Sequence, residues 1–386
     1  MSKLSFALTL GLLCALHPGL MAHGGPPLTH DVLLSSGQLS LVTSHGFFNQ
    51  DEGWTWVCEE ATEGDLASGV VRTPQGWFVG TLYGLKTSND SCTWRDEPSL
   101  LGQTVLEVFE DTLVPERVWV LTSEGLWALQ GDGEAQHVDL EGRVIRSAGQ
   151  NQEGQLLLVG FQGSEPFAWL DEQAIALPLK GGRMEVLGTD AQGRFYMRFP
   201  RGYRDSLVRV SESGSEVLIE DMALIRGFTA LGANLYAFSR ERLLWSSDDG
   251  VSWRSATSAP IGCLVEAPEG LYACPPLGSS AALFYAEAQS EDPDLWSWES
   301  YVEFDALSGS DCPAGSEVDN ICPFIWASVI EELGMPPLEL PLSEASPPSA
   351  LSGCELGRGP AVGWVWCSVL FAFLSLRALA RGRARA

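Results

Sequence analysis

The sequence predicts an all-β protein: a seven-bladed β-propeller followed by a short C-terminal helix, a Pro/Ser linker and one transmembrane helix. Three observations predict the propeller. A turn leading into an apolar or alternating strand recurs at Gly37 (GQLSLVTS), Gly76 (GWFVGTLY), Glu116 (ERVWVLTS), Gly154 (GQLLLVGF), Gly193 (GRFYMRFP), Gly232 (GANLYAFS) and Gly270 (GLYACPPL), at intervals of 38 to 40 residues. Each copy carries a second short strand (GFFNQ, GLKTS, GLWAL, FAWLD, SLVRV, LLWSS, LFYAE), and most end in a polar turn. Helical periodicity is nearly absent before residue 320. A unit of about 40 residues with several short strands is one propeller blade. A lone blade cannot bury both faces, so the copies stack around a ring. The ring falls within residues 23–305, and a strand near His30 to Ser36 is expected to pair with the last blade and lock the seam.

Composition supports a folded, acidic body. The 386 residues include 50 Asp plus Glu against 23 Lys plus Arg, a net charge of −27. Lys3, Arg358, Arg377, Arg381, Arg383 and Arg385 lie near the two ends, so the middle is more acidic still. Such a surface repels phosphate backbones and excludes nucleic-acid binding. With 45% hydrophobic residues and 14 Trp, the chain buries a sizeable core, which excludes disorder.

The ends read as targeting segments. Lys3, the apolar run Leu4 to Leu13 and the small-residue site at Ala22 make residues 1–22 a secretory signal peptide. Residues 306–334 read as a disulfide loop and an amphipathic helix docked under the propeller. Pro323 suits its first turn, Ile325, Trp326, Val329, Ile330 and Leu333 form the stripe, and Gly334 suits the stop. Residues 335–353 form a Pro/Ser linker, extended and semi-rigid. Within 354–386, residues 360–380 are interrupted only by Arg377 and suffice to span a bilayer, with the clustered Arg on the cytoplasmic side. Six cysteines remain in the body: Cys58, Cys92, Cys263, Cys274, Cys312 and Cys322. An even number in an exported chain reads as disulfides. Cys263–Cys274 and Cys312–Cys322 are close enough in sequence to close small loops, which leaves Cys58 with Cys92. Spacing alone does not fix the pairing.

Two resemblances add to this reading. The Pro/Ser spacer, Gly353-Cys354, the short apolar span and the Arg-rich terminus together resemble the MYXO-CTERM sorting tail of myxobacteria. That resemblance implies processing at Cys354 and anchoring at the surface of a Gram-negative cell. Ser246-Ser247-Asp248-Asp249-Gly250-Val251-Ser252-Trp253 fits the Asp-box pattern Ser-x-Asp-x-Gly-x-Thr-Trp, with Ser for Thr. Asn49, Asp51, Gly53, Thr55 and Trp56 fit at the same phase, and Thr87, Asn89, Ser91, Thr93 and Trp94 form a decayed copy. These positions resemble the Asp-box (BNR-like) propellers, a group that includes sialidases and sortilin-type receptors. The motif is a local staple: carboxylate and hydroxyl bond turn amides, and Trp packs between strands. Asp51 and Asp248 are therefore read as structural.

No catalytic set emerges. The Asp boxes invite a glycoside hydrolase, and Met197-Arg198-Phe199-Pro200 echoes a sialidase tetrapeptide, but in the fifth copy, where that family does not place it. Histidines are scarce. Asp305, Asp311, Glu317, Asp319 and Asn320 could ligate calcium, yet they lack the alternating spacing of a calcium loop. No cofactor or metal is expected. The reading is an exported, surface-anchored, monomeric binding module for a surface protein or glycan. The alternative is an Asp-box-class glycosidase acting on extracellular glycans.

Overall fold

Seven four-stranded antiparallel sheets follow one another along the chain: residues 29–57, 70–96, 105–138, 144–175, 185–223, 225–256 and 264–303. The structure, a computed structural model, describes residues 28–332 apart from 36, 51–52, 63–68, 132, 139, 141, 172, 180–181, 183, 240–241, 257–261, 277–278, 288–291, 308 and 310. The signal peptide, Leu333, Gly334, the linker, Cys354 and the span at 360–380 lie outside the described residues. Among the described residues no helix is long and apolar enough to cross a membrane.

Every sheet is a meander, so each is one blade. The first strand of each blade packs beside the first strand of the next, and that of blade 7 packs beside that of blade 1. The first strands thus line a central channel. The repeat read from sequence marks the start of each second strand, and the second short strand of each copy is the third strand of its blade. Gly76 shows why the repeat opens on glycine. Its φ is +136°, and a Cβ there would stand 2.2 Å from the Ser88 carbonyl oxygen of the adjoining strand.

Neighbouring blades bury apolar faces against each other. Phe47 of blade 1 stacks on Trp77 of blade 2 at 5.0 Å, and Tyr196 of blade 5 on Phe228 of blade 6 at 3.9 Å. Each such side chain contributes roughly 1.5–3 kcal/mol by leaving water. The largest apolar cluster joins blades 6, 7, 1 and 2 with the C-terminal helix, so the seam lies inside it.

The seam is closed differently from expectation. Residues Thr29–Ser35 pair with Gln38–Thr43 of their own blade and not with blade 7. Blade 7 draws all four of its strands from consecutive sequence, which leaves no place for an exchanged strand. A buried hydrogen bond from Thr29 Oγ1 to the Ala282 carbonyl (2.7 Å) stitches the two blades instead.

The main closure is a C-terminal strap. After blade 7 the chain bonds to blade 2 through Cys92–Cys312 and to the end of blade 1 through Cys58–Cys322. Cys263–Cys274 pairs as expected, but Cys312–Cys322 and Cys58–Cys92 do not form. Cys312 sits in the loop and Cys322 in the helix, where each reaches a different blade. The helix spans Glu317–Glu332, so Pro323 lies inside it rather than in its first turn. Its start is set upstream by Ser316, whose Oγ accepts from Asp319 N (3.2 Å), while Asp319 Oδ2 accepts from Gly315 N (2.9 Å). The helix lies against blade 1 rather than under the ring: Trp326 meets Trp56 at 4.9 Å and Phe48 at 6.0 Å. Replacing Cys58 and Cys322 together by Ser is expected to cost about 4 kcal/mol, against about 3 for Cys263 and Cys274, because even with Cys92–Cys312 intact the first pair closes the longer loop. Urea midpoints of the two double variants check that order.

Candidate functional site

A four-stranded meander places two kinds of connection at opposite ends of the ring. Turns between first and second strands, and between third and fourth, form one face, called here the hairpin face. Turns between second and third strands join the blade-to-blade links on the other, the connection face.

The hairpin face carries the Asp-box positions. In blade 6, Ser246 Oγ donates to Asp248 Oδ1 (2.8 Å) and accepts from Gly250 N (2.9 Å). Asp248 also accepts from Ser252 N (2.8 Å) and Ser252 Oγ (2.5 Å), and Trp253 Nε1 donates to the Gly250 carbonyl (3.1 Å). The Ser252 hydroxyl first, then its amide and Ser246, hold the Asp248 carboxyl down to about 2. Next door, Asp249 takes a two-pronged contact from Arg194 of blade 5 (2.6 and 3.0 Å). Both carboxylates are spent on structure.

Blades 2 and 1 depart from the expected positions. In blade 2, Ser88 and Asp90 do the work expected of Thr87 and Asn89. Asp90 Oδ1 accepts from Ser88 Oγ, Cys92 N and Thr93 N at 2.8–3.0 Å, and Trp94 Nε1 donates to the Ser91 carbonyl. An ionised carboxylate is the stronger acceptor, so the staple forms one residue later. Thr87 accepts from Arg95 (3.2 Å) and Asn89 is exposed. In blade 1, Asn49 accepts from Arg72 of blade 2 (2.8 Å). Trp56 lies within the strand Trp54–Val57 beside Thr55, donates to the His45 carbonyl (3.0 Å) and receives the helix. Gly53 is exposed before that strand, and Asp51 lies outside the described residues.

A second set of staples escaped sequence reading. Asp111, Asn151 and Asp190 stand between the first and second strands of blades 3, 4 and 5. Each accepts two backbone N–H bonds within its own turn. Their spacing of about 40 residues was the available signal. Arg198 of the sialidase-like tetrapeptide pairs with Glu185 and donates to the Ile225 carbonyl. Of the calcium candidates, Glu317 accepts from Trp94 N (3.1 Å) and Asp319 caps the helix. Among the described residues no group of three or more His, Cys, Asp or Glu is placed to hold a metal ion.

The connection face differs in character. Near the start of five first strands the pairing skips one residue, leaving His30, Leu106, Arg146, Leu187 and Arg226 as bulges in blades 1, 3, 4, 5 and 6. A bulge re-aims the side chain it carries. His30 and Arg226 belong to blades that are not neighbours, yet the Arg226 charge helps burial lower the His30 pKa. The two charges are thus near enough to interact although blade 7 lies between their blades. Asp31 follows His30 on the same wall. It touches solvent, but the surrounding ring strips enough water to raise its pKa to about 6, against one bond from Val32 N (2.8 Å). Around this face Leu82, Tyr83, Leu101, Tyr203 and Leu224 are exposed, Tyr203 almost completely at 99%.

No protein-family model and no curated protein matches the chain. Solved structures do. An extracellular domain assigned to a one-component system of B. thetaiotaomicron aligns at 13% identity over 70% of this chain and 41% of its own, with a TM-score of 0.50. A second structure of that same extracellular domain, described as part of a hybrid two-component system, aligns at 12% identity over 70% and 42%, also with a TM-score of 0.50. Virginiamycin B lyase from Staphylococcus aureus aligns at 10% identity over 65% of this chain and 93% of its own, TM-score 0.49. The match spans about two fifths of the extracellular domains. At these identities the likeness shows the fold.

Two outcomes follow from the site's electrostatics. Asp248→Ala releases the Ser252 amide, which should exchange hydrogen faster while the blade interiors stay protected. Asp31 has a folded-state pKa raised above that of the unfolded chain, so its contribution to stability falls as pH rises from about 4 to 6. Asp31→Asn should then raise the melting temperature at pH 7.5 and leave it unchanged near pH 3.5, as thermal melts at the two pH values will show.

Proposed function

We propose that this chain is an exported, surface-anchored, non-enzymatic propeller of the Asp-box class that binds an extracellular ligand on its connection face. The observation that carries this is the gathering of exposed Leu82, Tyr83, Leu101, Tyr203 and Leu224 on one end of the ring. The hairpin face exposes Leu113, Val251 and Leu295, but the exposed aromatic side chains of the turns, Tyr83 and Tyr203, both stand on the connection face, and exposed aromatics favour recognition of a partner. On the hairpin face, by contrast, the Asp and Arg side chains of the staples are engaged with each other and with turn amides.

Export is supported by the three disulfides, which persist in oxidising compartments. Likeness to extracellular domains is consistent with that address. Anchoring rests on the sequence of the tail, with Cys354 as its processing residue. The Asp-box assignment is supported by the bonds around Asp248.

The test is a glycan array probed with the full chain in detergent, scored for retention and for released product. Retention without release is expected. Release of a shortened glycan would replace the binding module with a hydrolase. Silence on the array would move the ligand to a protein, sought by crosslinking on the cell surface.

A further inference from the structure

We propose that the outer part of blade 7 binds a quaternary ammonium group, held against Tyr285 and Tyr301, with Tyr272 behind them and Glu269 and Glu299 beside them. The site is separate from the connection face, so its failure would leave the reading of that face standing. Three arguments support it.

The first is the placement of the rings. Tyr272 and Tyr285 are register partners on the second and third strands of blade 7, Gly270–Ala273 and Ala281–Ala286. On the fourth strand, Glu299–Glu303, the pairing passes from Val302 to Ser300 and skips Tyr301. That bulge re-aims the Tyr301 ring. The ring centroids stand 5.3 Å apart for Tyr272 and Tyr285, 5.1 Å for Tyr272 and Tyr301, and 6.0 Å for Tyr285 and Tyr301. Their planes are inclined to one another by 51°, 81° and 46°. A single point above this triangle lies within about 6 Å of all three centroids, the range over which a ring attracts a cation. Tyr272 is buried and forms the floor, while half-buried Tyr285 and Tyr301, which is 42% exposed, reach solvent.

The second is the chemistry around those rings. Tyr272 Oη donates to Glu269 Oε1 (2.9 Å), and Tyr285 Oη donates to the Glu269 carbonyl (2.6 Å). A phenol that donates to an anion gains electron density in its ring, which strengthens the pull of the ring face on a cation. Glu299 is the register partner of Tyr285 and adds a second carboxylate on the same side of the sheet. Neither Glu269 nor Glu299 makes an ion pair among the described residues.

The third is the supply of cations. In blades 2, 3, 4 and 6 the protein lays its own arginines over its Trp rings: Arg72 on Trp77, Arg117 on Trp119, Arg143 on Trp169 and Arg254 on Trp245. From Ser255 to Glu332, a stretch that includes all of blade 7, there are 14 Asp plus Glu and neither Lys nor Arg. Rings and carboxylates thus stand together with no cation from their own segment. A quaternary ammonium lays its methyl groups on ring faces and brings no N–H donors to satisfy, whereas a primary ammonium brings three.

Equilibrium dialysis of choline against the full chain in a maltoside detergent tests the site. Wild type should hold choline and not its uncharged carbon isostere. Tyr301→Ala should lose about fivefold in affinity at unchanged melting temperature, while Tyr301→Phe, which keeps the ring, should bind as wild type. Glu299→Gln should weaken binding. Equal uptake of the isostere would overturn the cation and leave an apolar patch. Tighter binding of butylammonium would overturn the quaternary class. Choline that wild type does not hold, or that Tyr301→Ala holds equally well, would overturn the site. A peptide with one trimethyl-lysine distinguishes two supporting outcomes: held more tightly than choline, it places the ammonium on a partner protein, and held less tightly, on a small molecule.

Discussion

Ring closure is the constraint on which this fold depends. Each blade is a sheet with two apolar faces, so every one of the seven interfaces must form, including the one between blades 7 and 1. That last interface joins parts of the chain more than 200 residues apart and carries the largest loop-closure cost. No strand crosses it. The load falls on packed side chains, on Thr29 bonding Ala282, and on a strap tied covalently to blades 1 and 2. Trp326 completes the arrangement by burying against Trp56 and Phe48, which places the helix within the same apolar cluster as the seam. The strap thus fixes the seam covalently, from the end of blade 7 back to blades 1 and 2.

The two faces of the ring answer different demands. On the hairpin face, Asp90, Asp111, Asp190 and Asp248 each satisfy amides of tight turns, and Arg194 links the turns of blades 5 and 6. Their charge is consumed locally. On the connection face the first strands begin with bulges, and the side chains freed there are His, Leu and Arg. The acidic character of the chain thus coexists with bulged basic residues on this face.

The blades were legible in the sequence because their signal is periodic. Gly76 must be glycine for a steric reason that recurs at Gly270, and a positive φ recurs at Gly37, Gly154, Gly193 and Gly232, so a spacing near 39 residues survives when little else does. The Asp-box turn of blade 6 was legible for the same reason, being wholly local. What escaped depended on partners far away in sequence. Cys58 and Cys322 look unrelated until the strap returns to blade 1, and proximity in sequence favoured Cys312–Cys322 instead. The helix start was visible in Ser316 and Asp319, yet Pro323 drew attention downstream. Bulges were invisible because a skipped residue depends on the register of the facing strand, and composition carries no trace of it. Arg146 and Arg226 therefore read as ordinary surface arginines, and only strand pairing revealed that they, like His30, stand at bulges.

Net charge and local charge act over different ranges, which bears on what the mouth can select. In physiological salt an exposed charge is screened beyond about 8 Å, so a ligand atom at the mouth feels chiefly the side chains that line it. On the connection face those include the bulged Arg146 and Arg226 among the cations and Asp31 among the acids. Burial raises the Asp31 pKa and so makes its charged form the costlier one. A polymer with a charge on every unit must also lay its flanking charges against the acidic rim. Each adds repulsion, and the sum grows with charge density. Selection against dense polyanions then follows from the net charge of −27, without any residue dedicated to exclusion.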